Sequence, residues 1–241
     1  MGITDKIDKY EIRARIIPGL LLCLPVLITI GAVGLDYFNW LTSILGSAFI
    51  SIVLSYGLSM LLRHGGVDLQ QKMYTKWGGA PSTRFLRWSD VNLSDQKKVI
   101  IHNKIKKDFK IQLCSKEEES ARPKDADRVI NDAFDSIREK IRATKKMGRL
   151  WEIHNMEYGF YRNFLGSWHW GLILSISGIA ILLAIYFYGS NKDIKFLLAV
   201  GINIVYGIIL SGYALAQGEK NLKHSAEQYV RSVIEAYLSL K

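Results

Sequence analysis

Four stretches of this chain stay apolar for about 20 residues each, and nearly everything else is polar and charged. They run roughly 16–35, 41–62, 168–188 and 194–216. A helix rising about 1.5 Å per residue needs that length to cross the hydrocarbon core of a bilayer. Very short connections join the first to the second and the third to the fourth, which predicts two transmembrane helical hairpins. The polar remainder carries helical periodicities. Ile3, Ile7, Tyr10, Ala14 and Ile17 make residues 3–17 an amphipathic helix leading into the first span. Ile101, Ile105 and Phe109 share a face of a helix over 92–111. Ala126, Ile130, Ala133, Ile137 and Ile141 form a seam at coiled-coil spacing over 124–147. Ser115 and Glu118 form a capping-box pattern between those two helices. From Gln217 onward, Leu222, Ala226, Tyr229, Val233 and Tyr237 make a further stripe.

The expected fold class is therefore an all-α integral membrane protein, with two transmembrane helical hairpins flanking a cytosolic, mainly helical domain. Its parts are a cytosolic amphipathic helix (1–15), hairpin 1 (16–62), a basic cytosolic helical domain (63–165), hairpin 2 (166–216) and a cytosolic C-terminal helix (217–241). Charge fixes the orientation. The net charge is +10, and residues 63–165 hold 22 of the 32 Lys and Arg against 14 acidic residues. The predicted hairpin tips hold only Lys192 and Lys195. The positive-inside rule places both termini and the middle segment in the cytoplasm. Tyr37, Phe38, Trp40, Trp168, Trp170, Tyr186 and Tyr188 sit near the predicted boundaries, as interfacial aromatics do. No signal-peptide pattern precedes the first span. Cys23 and Cys114 lie too far apart in kind of environment for a structural disulfide to be expected.

The second span carries Ser43, Ser47, Ser51, Ser55 and Ser59, one per four residues, so their hydroxyls form a single winding ridge. Such a ridge packs another helix closely or lines a water-filled path, and the sequence leaves both open. The first span contains Pro18, suited to a first helical turn, and Pro25, which predicts a kink. Gly171, Ser175 and Gly178 form a small-residue stripe in the third span, and Ala199, Asn203, Gly207 and Ser211 form one in the fourth. Asn203 is the one carboxamide deep in a span, and no Asp, Glu, Lys or Arg lies deep in any. That argues against proton-coupled transport. No inverted repeat of the transporter kind is visible.

In the basic segment the string Trp77-Gly78-Gly79-Ala80-Pro81-Ser82-Thr83-Arg84-Phe85-Leu86-Arg87-Trp88 stands out. A glycine turn followed by a proline helix start, with Arg84 and Arg87 on one face and Trp77 and Trp88 nearby, suits an anionic ligand whose bases stack on indole. Arginines meeting lipid phosphates are the alternative. The lysines at 97, 98, 104, 106, 107 and 110 offer a basic face for nucleic acid or solvent. Glu157, Tyr158, Arg162 and Asn163 precede the third span and are expected to couple the basic domain to it, and Arg162 joins Trp77, Arg84, Arg87 and Trp88 as a candidate binding residue for the anion or oligonucleotide.

Catalytic and metal chemistry finds no support. His64, His102, His154, His169 and His224 are not spaced with Cys, Asp or Glu as a zinc site is. There is no Walker loop and no Gly-x-Ser-x-Gly. The expectation is a protein that is not an enzyme and needs no cofactor.

The string from Trp77 to Arg87, together with Glu157-Tyr158-Gly159-Phe160-Tyr161-Arg162-Asn163-Phe164-Leu165-Gly166, resembles signatures of bacterial four-span membrane effectors of anti-phage defence, the Hailong-type membrane channel proteins. The resemblance covers both ends of the basic segment and the two-hairpin layout. It implies a homo-oligomeric channel controlled by a short DNA oligomer and working beside a nucleotidyltransferase. The expected partners are thus membrane lipids, further copies of the chain (a tetramer as the working expectation), a short DNA oligomer or nucleotide, and a nucleotidyltransferase. The rivals are a non-conducting membrane scaffold that recruits a cytosolic partner and an integral-membrane lipid enzyme.

Overall fold

A computed structural model describes residues 9–34, 39–144, 149–189 and 192–240, with the side chains of Leu58, Ser59 and Arg149 outside that description. Ile3, Ile7, Tyr37, Phe38 and the hydroxyl of Ser59 therefore lie outside the described residues, as does the predicted end of the 124–147 helix.

Among the described residues the chain is all-helical, with no strand. In order the helices are α1 (Lys9–Glu11), a π-helical turn (Ile12–Ile16), α2 (Ile17–Leu22), α3 (Leu24–Gly34), α4 (Trp40–Lys76), α5 (Pro81–Arg84), α6 (Asp95–Phe109), α7 (Lys116–Ala121), α8 (Pro123–Ala143), α9 (Arg149–Gly166), α10 (Trp168–Tyr188), α11 (Ile194–Ala216) and α12 (Gly218–Ser239). Among the described residues three helices are long and apolar enough to cross a membrane: α4 through Trp40–Gly57, α10 and α11. A fourth is added if Lys9–Leu22 and Leu24–Gly34, which meet at a 48° bend, count as one span.

By contacts the chain divides into two units. One comprises Met1–Gln70 with Met156–Leu222, the other Gln71–Asn155 with Lys223–Lys241. In the first, apolar unit, α10 packs along α11 and both pack on α3. The bend between α2 and α3 has a chemical cause. Pro25 has no N–H to give the carbonyl of Leu21, four residues back. Tyr206 Oη on α11 donates to that carbonyl instead, at 3.0 Å. Pro18 repeats the device one stage earlier: it has no N–H for the carbonyl of Ala14, and Asn163 Nδ2 on α9 donates to it at 2.6 Å. A membrane helix tolerates proline when neighbours satisfy the released groups in this way.

The second, charged unit has a core of its own. The seam Ala126, Ile130, Ala133, Ile137 and Ile141 is buried on α8, as are Ile101 and Ile105 on α6 and the stripe of Ala226, Tyr229, Val233 and Tyr237 on α12. Phe85 and Leu86 are fully buried beside them. Helix ends follow local chemistry. Ser94 caps α6 by accepting from Lys97 N, and Lys110 ends it in the left-handed region at φ 60°. The Ser115–Glu118 capping box forms in full at α7. Pro123 opens α8, where a missing N–H costs nothing. The C-terminal helix is held by charge and aromatic contact: Tyr237 Oη donates to Asp108 at 3.0 Å, its ring stacks on Phe109, and Lys104 Nζ donates to the Leu240 carbonyl at 2.5 Å.

Candidate functional site

In the charged unit, α4 ends at a glycine turn. Gly78 and Gly79 have φ of +76° and +131°, values that side chains with a Cβ adopt poorly. The turn leads through extended Ala80 into the single turn of α5. Arg87 grips it. Its Nη1 donates to the Gly78 carbonyl at 2.7 Å, while Nε and Nη2 donate to the two carboxylate oxygens of Asp127 on α8, each at 2.7 Å. That bidentate pair holds the Arg87 guanidinium in its charged form, against the opposing effect of burial. Arg84 pairs with Asp90 at 3.3 Å and with Glu227 at 3.9 Å. The backbone N–H and indole Nε1 of Trp88 donate to Glu119 and to the Cys114 carbonyl, and its ring meets His102 edge-on at 4.7 Å. Trp77 sits tilted against Tyr74 at 6.2 Å.

The structure thus brings Arg84, Arg87 and Trp88 into one neighbourhood and commits the donors of Arg87 and Trp88 internally, while Arg84 Nη1 is buried without a hydrogen-bond partner. Lys98 requires a correction. It was read as part of a basic face, yet it is fully buried, and its Nζ donates to the carbonyls of Trp88 and Asp90. Counting it, three cations (Arg84, Arg87, Lys98) meet five carboxylates (Asp90, Asp95, Glu119, Asp127, Glu227). An anion reaching Arg87 must displace Asp127 from it. Arg162 belongs to the other unit, where Nη1 donates to Gln70 at 3.0 Å and Nε to Asn163 at 3.2 Å.

In the apolar unit the serine ridge turns inward. Ser43, Ser47, Ser51 and Ser55 are all buried, against a complementary set of glycines on the preceding span. A Cβ on Gly19 would stand 2.4 Å from Ser55 Oγ and 3.2 Å from the Ser55 carbonyl, Gly34 faces Ser43, and Gly31 faces Ser47. Ser55 Oγ donates to the Ile16 carbonyl and Ser47 Oγ to Ile44 of its own helix, both at 3.0 Å. The hydroxyls of Ser43 and Ser51 have no hydrogen-bond partner. On the other flank of α3, Asn203 is fully buried. Its Nδ2 donates to Ala199 at 3.0 Å and its backbone carbonyl accepts from Ser175 Oγ at 2.7 Å, but its Oδ1 is unpaired, as is Thr29 Oγ1. Two polar seams therefore flank the first span inside one chain.

A third feature escaped the sequence reading. Gly159, Asn163 and Gly166 line one face of α9 at helical spacing. Gly159 meets Ala14 and Tyr10, Asn163 meets the Ala14 carbonyl and Gly66, and Gly166 meets the backbone of Gly65. A Cβ on Gly166 would lie 2.3 Å from the Gly65 carbonyl oxygen. The string Glu157–Gly166 is thus the joint where α9 meets α4 at backbone distance and the N-terminal arm through side chains. The signal was available as paired glycines, Gly65-Gly66 and Gly159/Gly166, but sequence alone does not say which glycines face each other.

Among the described residues no group of three His, Cys, Asp or Glu side chains could hold a metal ion. Comparison of this chain with family models, with curated proteins and with solved structures finds no match.

Proposed function

We propose that the protein is a multi-pass protein of the bacterial cytoplasmic membrane, built on two transmembrane hairpins, with its termini and charged unit in the cytosol. It assembles into a homo-oligomer and conducts ions when an anionic nucleotide or oligonucleotide engages the charged unit, as a membrane effector. The anti-phage setting, the nucleotidyltransferase partner and the DNA ligand rest on the sequence resemblance alone.

Conduction is supported by one observation. Thr29, Ser43, Ser51 and Asn203 keep buried, unpaired polar atoms within apolar helices that carry no deep ionisable group. Unsatisfied groups are costly in hydrocarbon, which suits a seam that meets water or an ion at another stage of a working cycle. Opening requires α4 to part from α2 and α3, because Gly19 leaves no room beside Ser55. The helix has 37 residues, about 55 Å, and ends in the turn that Arg87 grips. A phosphate competing with Asp127 for Arg87 loosens that end.

The scaffold reading has its own support. Ser47 and Ser55 are fully used in packing, and both arginines are paired within the chain. Ion flux through liposomes containing the purified protein, with and without short DNA oligomers, separates the two. Conduction predicts flux that responds to the oligomer and falls in Ser43→Ala with Ser51→Ala, while assembly survives. No flux in either condition, from folded oligomeric protein, overturns conduction in favour of the scaffold.

A further inference from the structure

A cavity of about 300 Å³ opens on the apolar unit between the bent first span, α9 and α11. Leu21, Leu24, Phe164, Tyr206, Ile209 and Tyr213 are among its walls. Its volume is at the lower end of small-ligand sites, and its chemistry is restrictive. Tyr206 spends its hydroxyl on the Leu21 carbonyl. The hydroxyl of Tyr213 accepts from Asn221 Nδ2 at 2.9 Å and is also bonded to Tyr161. The phenol oxygens are therefore committed to the protein, and the wall offers an occupant rings and methyl groups. That disfavours a nucleotide or water and favours a hydrocarbon chain.

The mouth shows where such a chain comes from. Leu21, Leu24 and Ile209 are 37%, 37% and 65% exposed, continuous with exposed Ile202, Val205 and Ile208 on α11. This is a face that the proposed insertion puts against lipid. The cavity also lies at the ends of the spans that join polar chain. Ile17 and Arg13, both exposed, stand one and two turns before Leu21, with Arg13 about 12 Å away along the helix. A basic side chain at that distance meets a headgroup phosphate while the acyl chain enters the cavity.

We propose that this groove is a specific site for one acyl chain of an anionic phospholipid, with the phosphate held by Arg13. The proposal rests on the reading of these helices as membrane-inserted. The test uses the full chain in phosphatidylcholine vesicles doped with phosphatidylglycerol that carries a photoactivatable diazirine in one acyl chain, with cross-links mapped by mass spectrometry. The expected result is labelling of Phe164 and Tyr213 several times that of Leu198 on α11 and Ile181 on α10, exposed apolar residues that do not line the groove. Leu21→Trp, or Ile209→Trp if the first variant does not fold, fills the groove and brings its labelling down to the bulk level. Arg13→Gln lowers the preference for the phosphatidylglycerol probe over a phosphatidylcholine probe by about fivefold, the ratio one basic residue near an anionic surface supplies. Equal labelling of groove and bulk positions overturns the lipid site and leaves insertion standing. Groove labelling that is absent from the assembled protein and appears only when it is diluted to monomers assigns the groove to a second copy and also overturns it. Protein that fails to float with the vesicles, with no span labelled, overturns insertion and the site together.

Discussion

Gly166→Ala is the sharpest perturbation the structure offers, because the same substitution has opposite expected signs at different places in this chain. At Gly166 the new Cβ would meet the carbonyl oxygen, carbonyl carbon and amide nitrogen of Gly65–Gly66 at 2.3, 2.4 and 2.6 Å. All three are backbone atoms, so no rotamer change relieves the contact, and α9 and α4 must move apart by about 1 Å. Overpacking of this kind costs about 1–3 kcal/mol, and a backbone neighbour places it at the upper end. At Gly57, midway along α4, a Cβ finds nothing within 4 Å. There Gly→Ala removes only backbone entropy and should stabilise by about 0.5–1 kcal/mol. The gap between the two variants is about 3 kcal/mol, or roughly 6–12 °C in Tm for a chain of this size. Thermal melts of both variants in one detergent, followed by tryptophan fluorescence, measure it. Equal melting temperatures for Gly166→Ala and Gly57→Ala would refute the backbone-distance joint. A parallel loss in Gly66→Ala, whose Cβ would meet Asn163 Oδ1 at 2.3 Å, would locate the joint further.

Other outcomes follow from single contacts. A double-mutant cycle on Arg87→Ala and Asp127→Ala should give a coupling of about 1 kcal/mol that shrinks with salt, since both side chains are partly exposed. Tyr206→Phe should destabilise by about 0.6–2 kcal/mol by leaving the Leu21 carbonyl unpaired, measured against Tyr186→Phe as a control. His102 is held neutral, chiefly by burial, with Nε2 donating to the Leu86 carbonyl at 3.0 Å. Its pKa lies below the usual 6.5, so below that pH the unfolded chain takes up a proton the folded chain refuses. Stability is whole well above pH 6.5 and declines as pH falls below 6.5 toward the depressed value; the denaturant midpoint should drop across that range, and less so in His102→Gln. Asp108 is held below the usual carboxylate value of 3.8 by hydrogen bonding to Lys140, helped by Tyr237. Its contribution is present above 3.8 and lost as pH falls through its lower folded value, so Asp108→Asn should flatten the acid limb of the stability curve.

Periodicity made the helices legible. The stripes on α8 and α12 that read as apolar are the ones that are buried, and three of the four long apolar stretches are candidate spans, the first adding a fourth if its bent pair counts as one. Pro25 marked the bend, because a proline's missing N–H acts within its own helix. What the sequence left open was pairing across distance. The serine ridge was plain, but its partner is a glycine series on another helix, and nothing in either series names the other. Arg87 and Asp127 are 40 residues apart, so an arginine that looks like a spare cation in its own string is neutralised from outside it. Lys98 looked like part of a solvated face because its neighbours in sequence are polar. Its burial depends on two carbonyls of the Trp88–Asp90 loop turning toward it.

The two prolines of the first span also bear on how the chain is made. The carbonyls they leave open at Ala14 and Leu21 are closed by Asn163 and Tyr206, residues translated long after the span has left the ribosome. At ordinary rates of synthesis the wait between Pro25 and Tyr206 is about 10–35 s. On the proposed insertion, the first span is throughout that interval an incompletely hydrogen-bonded helix, dependent on insertion machinery or interfacial water. The N-terminal half is therefore not an autonomous piece: a nascent chain stopped before Asn163 holds a first span with neither break mended. Release from the biogenesis machinery is expected to wait for the last membrane helix.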